Sequence, residues 1–173
     1  DERKLSMAIK ITADSTCDLS PELVEAYGIE IIPLCVIKDG KSFRDGVDIT
    51  PEDIFAHVAG GGDLCTTSAL NVSEYQEKFA ELSPKYDAVI HINVSSDMSS
   101  SFQNATIAAK DFQNVFAVDS RNLSTGSGHV VLRAAEMAKS GMAPAEIVER
   151  LKELTGRVEA SFVIDRLDYL KKG

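Results

Sequence analysis

Short β-branched runs alternate with stretches of helical pattern along this chain, and that alternation restricts its fold more than any other feature. Residues 88–94, Ala-Val-Ile-His-Ile-Asn-Val, are the clearest strand. They are nearly continuous in apolar residues, as a strand covered on both faces should be. Residues 9–13, 29–37, 115–118 and 158–164 read as further strands, bounded by turn-forming residues such as Asp39-Gly40. Between them, Ser20-Pro21 and Thr50-Pro51 each set a capping hydroxyl before a proline, the signature of a helix start. Gly60-Gly61-Gly62 ends the second of these helices, and Ser73-Glu74-Tyr75-Gln76 has capping-box spacing, which predicts a helix over about 74–82. Helical pattern also covers 101–111, 123–139 and 145–154, and a new helical turn begins at 167–170. Strands separated by helices and short loops predict an α/β fold, a mostly parallel sheet with helices on both faces.

Eighteen basic and twenty-seven acidic residues leave a net charge of -9. Such a field repels phosphate backbones and anionic lipid surfaces, so nucleic acid and peripheral membrane binding are not expected. No apolar run reaches the length of a membrane span. Residues 1–8 are read as a tag or disordered leader and 9–173 as one domain. Cys17, Cys35 and Cys65 form no Cys-x-x-Cys pair. A disulfide scaffold or a metal site is therefore not expected, and a reducing cytoplasm fits best.

Ligands of open α/β sheets bind outside the carboxyl ends of the strands, and here those loops are loaded with hydroxyls. Asp14-Ser15-Thr16 follows the first strand, Thr66-Thr67-Ser68 precedes the third helix, Ser95-Ser96-Asp97-Met98-Ser99-Ser100-Ser101 follows the central strand, and Asp119-Ser120 the next. Hydroxyls and free N–H groups at helix starts suit a carboxylate or phosphate. Single serines such as Ser20 and Ser73 read as caps. No dinucleotide-binding glycine motif, P-loop or nucleophile elbow occurs. Gly126 and Gly128 read as positions of close helix packing. His57 is expected on an exposed helical surface and His91 in the core; His129 is the one histidine expected near the hydroxyl loops.

At these residues the chain resembles the DegV family. Residues 11–19 (Ile-Thr-Ala-Asp-Ser-Thr-Cys-Asp-Leu) resemble that family's opening, and Ile31-Ile32-Pro33-Leu34 with Phe43-Arg44-Asp45-Gly46-Val47-Asp48-Ile49 its next signature. Thr66-Thr67-Ser68 is similar to its Thr-Ser motif, residues 95–105 to its serine-rich helix start, and Val118-Asp119-Ser120 with Gly126 and Gly128 to the following pair. Ser100 and Ser101 stand where the family commonly has Gly and Thr, and Ala69-Leu70-Asn71 replaces Gln-Pro-Ser. The resemblance implies a bacterial, cytoplasmic, non-catalytic carrier holding one long-chain fatty acid, with no other cofactor. Its carboxylate would be held by Thr67 and Ser96, with Ser68 and Ser95 alongside, and with support from Asp14, Ser15, Ser99, Ser120 and His129. The implied partner is the catalytic subunit of a fatty acid kinase, which makes acyl phosphate for phospholipid synthesis. The resemblance also makes 9–173 an amino-terminal domain ending where a second α/β domain, here missing, would begin. A piece of that kind is expected to hold lipid weakly and to self-associate. The competing reading is an enzyme acting on a small phosphorylated metabolite, with His129 or Asp14 as acid or base.

Overall fold

The computed structural model describes residues 8–163. In chain order the elements are β1 (Ile9–Asp14), α1 (Pro21–Tyr27), β2 (Glu30–Ile32), β3 (Cys35–Lys38), β4 (Lys41–Arg44), α2 (Pro51–Ala59), β5 (Thr66–Ser68), α3 (Val72–Leu82), β6 (Ala88–Asn93), α4 (Ser101–Ala109), β7 (Val115–Asp119), α5 (Ser124–Lys139) and α6 (Pro144–Thr155). They fall into two compact units, residues 8–32 with 70–160, and residues 33–69 with 161–163.

The first unit holds a parallel sheet in the order β2-β1-β6-β7, with Thr12 opposite His91 and Ile92 opposite Val118. Successive strand residues face opposite sides, and this sequence uses the two sides differently. Ile11, Ala13, Ile90 and Ile92 join Val118 against Val130, Val131, Ala134 and Ala135 of α5 and Ile147 and Leu151 of α6. Burying each large side chain there contributes about 1.5–3 kcal/mol. The alternate positions, Thr12, Asp14, His91 and Asn93, are fully buried and polar. Above them lies α3, whose Tyr75 and Phe79 ring centroids stand 5.4 and 5.8 Å from that of His91. The expected parallel sheet with helices on both faces is what forms.

Local signals hold where their chemistry is self-contained. Ser20 caps α1 by accepting from the Leu23 N–H, and Thr50 and Asp53 form a capping box at α2. A Cβ on Gly128 would meet the Cys17 carbonyl oxygen at 2.5 Å, and one on Gly126 the Ala160 methyl at 2.9 Å, so both glycines allow close packing as expected.

Four expectations are corrected. The run 29–37 is two strands, parted at Pro33, which has no N–H to donate to a ladder. Thr66-Thr67-Ser68 is a strand, because Cys35, Val36 and Ile37 pair with Ser68, Thr67 and Thr66. Ser73 lies inside α3 and is not its cap. Asn71 takes that place, accepting from the Glu74 N–H at 3.0 Å while Glu74 accepts from the Asn71 N–H at 2.7 Å. Residues 158–163 form no strand; Ile164 and the helical turn expected at 167–170 lie outside the described residues, as do residues 1–7 of the expected leader.

The second unit is an antiparallel sheet in the order β4-β3-β5 with α2. Asp39 and Gly40 join β3 to β4 with φ of 50° and 71°, the left-handed pair that matches the twist of a two-residue hairpin. His57, expected exposed, is half-buried. Its ring covers Gly62, where any Cβ would collide with it, and its Nε2 lies 3.5 Å from Asp39.

Candidate functional site

In the first unit the chain passes from β1 to β2 on one side and later returns to β6 on the other. The carboxyl ends of β1 and β6 therefore flank the point where strand order reverses, the usual ligand crevice of such sheets. The first feature there is Asp14, the last residue of β1 and fully buried. Its carboxylate accepts from the Val94 N–H at 2.8 Å and from the Tyr75 hydroxyl at 3.2 Å, and the Asn93 amide nitrogen lies 3.3 Å away. His91 Nε2 stands 3.3 Å from the same carboxylate, and His91 Nδ1 is 2.8 Å from Thr12 Oγ1. Burial, and then the charge on Asp14, push the Tyr75 phenol far above its usual range, so Tyr75 stays a proton donor. Each donor supports a charge that would be costly to bury alone. Asp14 thereby tethers the start of the serine loop, in which the Ser99 and Ser101 hydroxyls are bonded to each other at 2.9 Å.

The serine loop is tied from several sides. Ser95 is buried; its N–H donates to the Asn122 carbonyl, and its Oγ accepts from the Asp97 N–H at 3.3 Å. No acceptor for the Ser95 hydroxyl proton exists among the described residues. Ser96 is exposed and donates its hydroxyl to Asp119 at 2.5 Å and its N–H to the same carboxylate at 3.1 Å. Ser100, at the N-cap of α4, makes no side-chain cap bond, but Ser99 Oγ accepts from the Ser101 N–H at 3.2 Å, so the first amide of the helix is partnered from within the loop. Thr16 Oγ1 and Asn93 Oδ1 are buried without a partner among the described residues.

The other residues singled out from sequence divide clearly. Ser120 is fully buried and spends its hydroxyl inside its own turn, donating to the Asn122 carbonyl at 3.0 Å and accepting from the Asn122 N–H at 3.2 Å. His129 is exposed on α5. Ser15 begins a short 3-10 turn after β1. In the second unit Thr67 and Ser68 are exposed neighbours on the edge strand β5, so their side chains leave opposite faces of it. Ser68 donates to the Ala69 carbonyl at 3.2 Å. No cluster of metal-ligating side chains occurs among the described residues, and none of the described helices is long and apolar enough to cross a membrane.

Sequence reading named Asp14 but missed Tyr75, Asn93 and His91 as its partners, and Thr12 as the partner of His91. A signal was present: polar residues at every second position of two apolar strands share one face.

The model of the DegV family, a family of uncharacterised proteins, matches residues 8–173. A DegV domain-containing protein of Caldanaerobacter subterraneus is 38% identical over 95% of this chain and 59% of its own length. Among solved structures, a DegV family protein from Thermus thermophilus described by its fatty acid binding superposes with TM-score 0.85 at 32% identity, over 96% of this chain and 60% of that one. DegV of Bacillus subtilis, described as a fatty acid binding protein, gives TM-score 0.85 at 30% identity over 97% of this chain and 61% of its own. The chain thus spans about 60% of the length of these relatives.

Proposed function

Because this chain belongs to the DegV family, we propose that it binds a long-chain fatty acid, keeping the carboxylate at the serine loop after β6. The observation that carries the reading is the place of the Ser95 hydroxyl, in the loop between the carboxyl end of β6 and α4, with no acceptor for its proton among the described residues and so able to donate to a carboxylate. Charge-assisted hydrogen bonds of that kind contribute about 1.5–3 kcal/mol each. An acyl chain adds about 0.8 kcal/mol for every methylene it buries, so most of the affinity comes from the tail and the loop selects the head.

The protein acts as a carrier and performs no chemistry itself. Its acid-base groups support this: Asp14 and His91 are fully buried and committed to each other and to Tyr75, Asn93 and Thr12, and His129 is exposed on α5. The chemistry belongs to a separate fatty acid kinase, to which the bound ligand is presented in the bacterial cytoplasm.

Lipid extraction of the purified chain followed by mass spectrometry tests the reading directly. A bound fatty acid is expected. The Ser95→Ala variant, folded by circular dichroism, is expected to hold added palmitate about tenfold more weakly, the loss of one such bond. A chain that neither carries fatty acid nor takes up palmitate overturns the proposal.

A further inference from the structure

We propose that Ser120 is a positioning residue of the head-group site: acting through the Asn122 carbonyl, it fixes the backbone of Ser95 and so the direction in which the free Ser95 hydroxyl donates. The inference rests on the lipid-binding reading above. Ser120 does not meet the ligand itself, since it is fully buried and gives its one proton to the Asn122 carbonyl at 3.0 Å. The same carbonyl accepts the Ser95 N–H, also at 3.0 Å. An amide oxygen has two lone pairs, and these two donors use both.

The turn that carries this oxygen is closed on itself. Ser120 Oγ accepts from the Asn122 N–H at 3.2 Å, and Asn122 Nδ2 donates to the Ser120 carbonyl at 3.1 Å. The Ser120 N–H donates to the Asn93 carbonyl at 3.0 Å, which fastens the turn to the end of β6. Between the two, Arg121 is held in the left-handed region, with φ of 52°, an uncommon conformation for a residue with a Cβ. Backbone of that kind persists only where its surroundings over-determine it, and the Ser120 hydroxyl supplies two of the bonds that do so. A Cβ on Gly126 would meet Asn122 Oδ1 at 2.5 Å, so the start of α5 closes against the same turn. Val94, one residue before Ser95, is held separately, by Asp14 at 2.8 Å. With the Ser120 hydroxyl gone, the Asn122 carbonyl is free to turn and the Ser95 N–H loses a fixed acceptor. The Val94 bond stays as it was.

The experiment compares the wild-type chain with Ser120→Ala, Ser95→Ala and the double variant, first without ligand and then with palmitate carrying carbon-13 at its carboxyl. Without ligand, hydrogen exchange of the Ser95 amide is expected to rise about three- to tenfold in Ser120→Ala, with the Val94 amide unchanged. A residue that only stabilised the fold would speed both amides together, because both would exchange through the same unfolding. Ser120→Ala is expected to bind palmitate about three- to tenfold more weakly, and the carboxyl carbon-13 shift of the bound ligand to move towards its value in Ser95→Ala. In the Ser95→Ala background the same substitution is expected to change the affinity by less than about twofold, because no hydroxyl is left to aim. Parallel acceleration of the two amides, or an equal loss of affinity in both backgrounds, overturns the inference and leaves the lipid reading intact. A wild-type chain that takes up no palmitate overturns the lipid reading and the inference with it. Ser120→Cys, which keeps the shape and weakens the donor, repeats the comparison should the alanine variant not fold.

Discussion

Tyr75 donates its hydroxyl to the Asp14 carboxylate across 3.2 Å, joining α3 to the end of β1 over a separation of 61 positions. Both residues are fully buried. The pair also decides where the serine loop begins, since the same carboxylate accepts from the Val94 N–H.

Replacing Asp14 by alanine leaves the Val94 N–H, the Tyr75 hydroxyl and the Asn93 amide without their acceptor. A cost of about 3–5 kcal/mol is expected, as when one member of a buried charged group is removed. Tyr75→Phe deletes a single hydrogen bond to a charged acceptor and should cost about 1.5–3 kcal/mol. Urea denaturation of both variants checks the order. Equal losses would mean that the carboxylate supports nothing beyond Tyr75.

Gly128→Ala places a methyl 2.5 Å from the Cys17 carbonyl oxygen, and a backbone atom cannot swing aside. Overpacking of this kind costs about 1–3 kcal/mol. The thermal midpoint should fall by several degrees. Gly156→Ala, whose nearest neighbour would be 3.7 Å away, is the matched control and should leave the midpoint almost unchanged.

Burial, the largest effect, and then the nearby charges of Asp18 and Asp14 push the Cys17 thiol up. A thiol so placed is a poor nucleophile. Cys35 and Cys65 are only half-buried. A thiol-reactive dye should therefore label Cys35 and Cys65 first, with Cys17 modified only on unfolding. Early labelling of Cys17, read by mass spectrometry of peptides, would contradict the packing around the turn after β1.

Arg44 clasps Asp48 through its Nε at 2.8 Å and Nη2 at 2.9 Å, and its N–H donates to the same carboxylate at 3.0 Å. These bonds lower the Asp48 carboxyl from 3.8 to about 2. A carboxyl lowered on folding favours the folded form above its ordinary value of 3.8, and the benefit is lost as pH falls towards about 2. The clasp is exposed, so it should show as a local change and not as global unfolding. Carboxyl NMR should give Asp48 a midpoint near 2, and Arg44→Ala should return it towards 3.8.

Much of the architecture was legible because it rests on local chemistry. The period of residues 88–94, the Ser20 and Thr50 caps and the left-handed Asp39-Gly40 turn each act within a few residues, so a linear reading finds them. Ser73 misled because two cap formers, Asn71 and Ser73, stand two positions apart, and only Asn71 has Glu74 at the third helical position to return the bond. Thr66-Thr67-Ser68 misled for another reason: nothing local marks three hydroxyl residues as a strand, and their ladder comes from Cys35, Val36 and Ile37, about thirty positions earlier.

By itself the sequence determined the class of the fold, the helix starts and the concentration of hydroxyls after the strands, since periodicity and capping are properties of neighbouring residues. Tertiary structure alone decided which hydroxyls are free. Ser120 is spent within its turn, Ser96 is held by Asp119 from 23 positions away, and Ser95 keeps a proton with no acceptor among the described residues. The physical reason is that a hydrogen bond assigns each proton to one acceptor, and which acceptor arrives within reach depends on how β1, β6 and β7 are laid side by side.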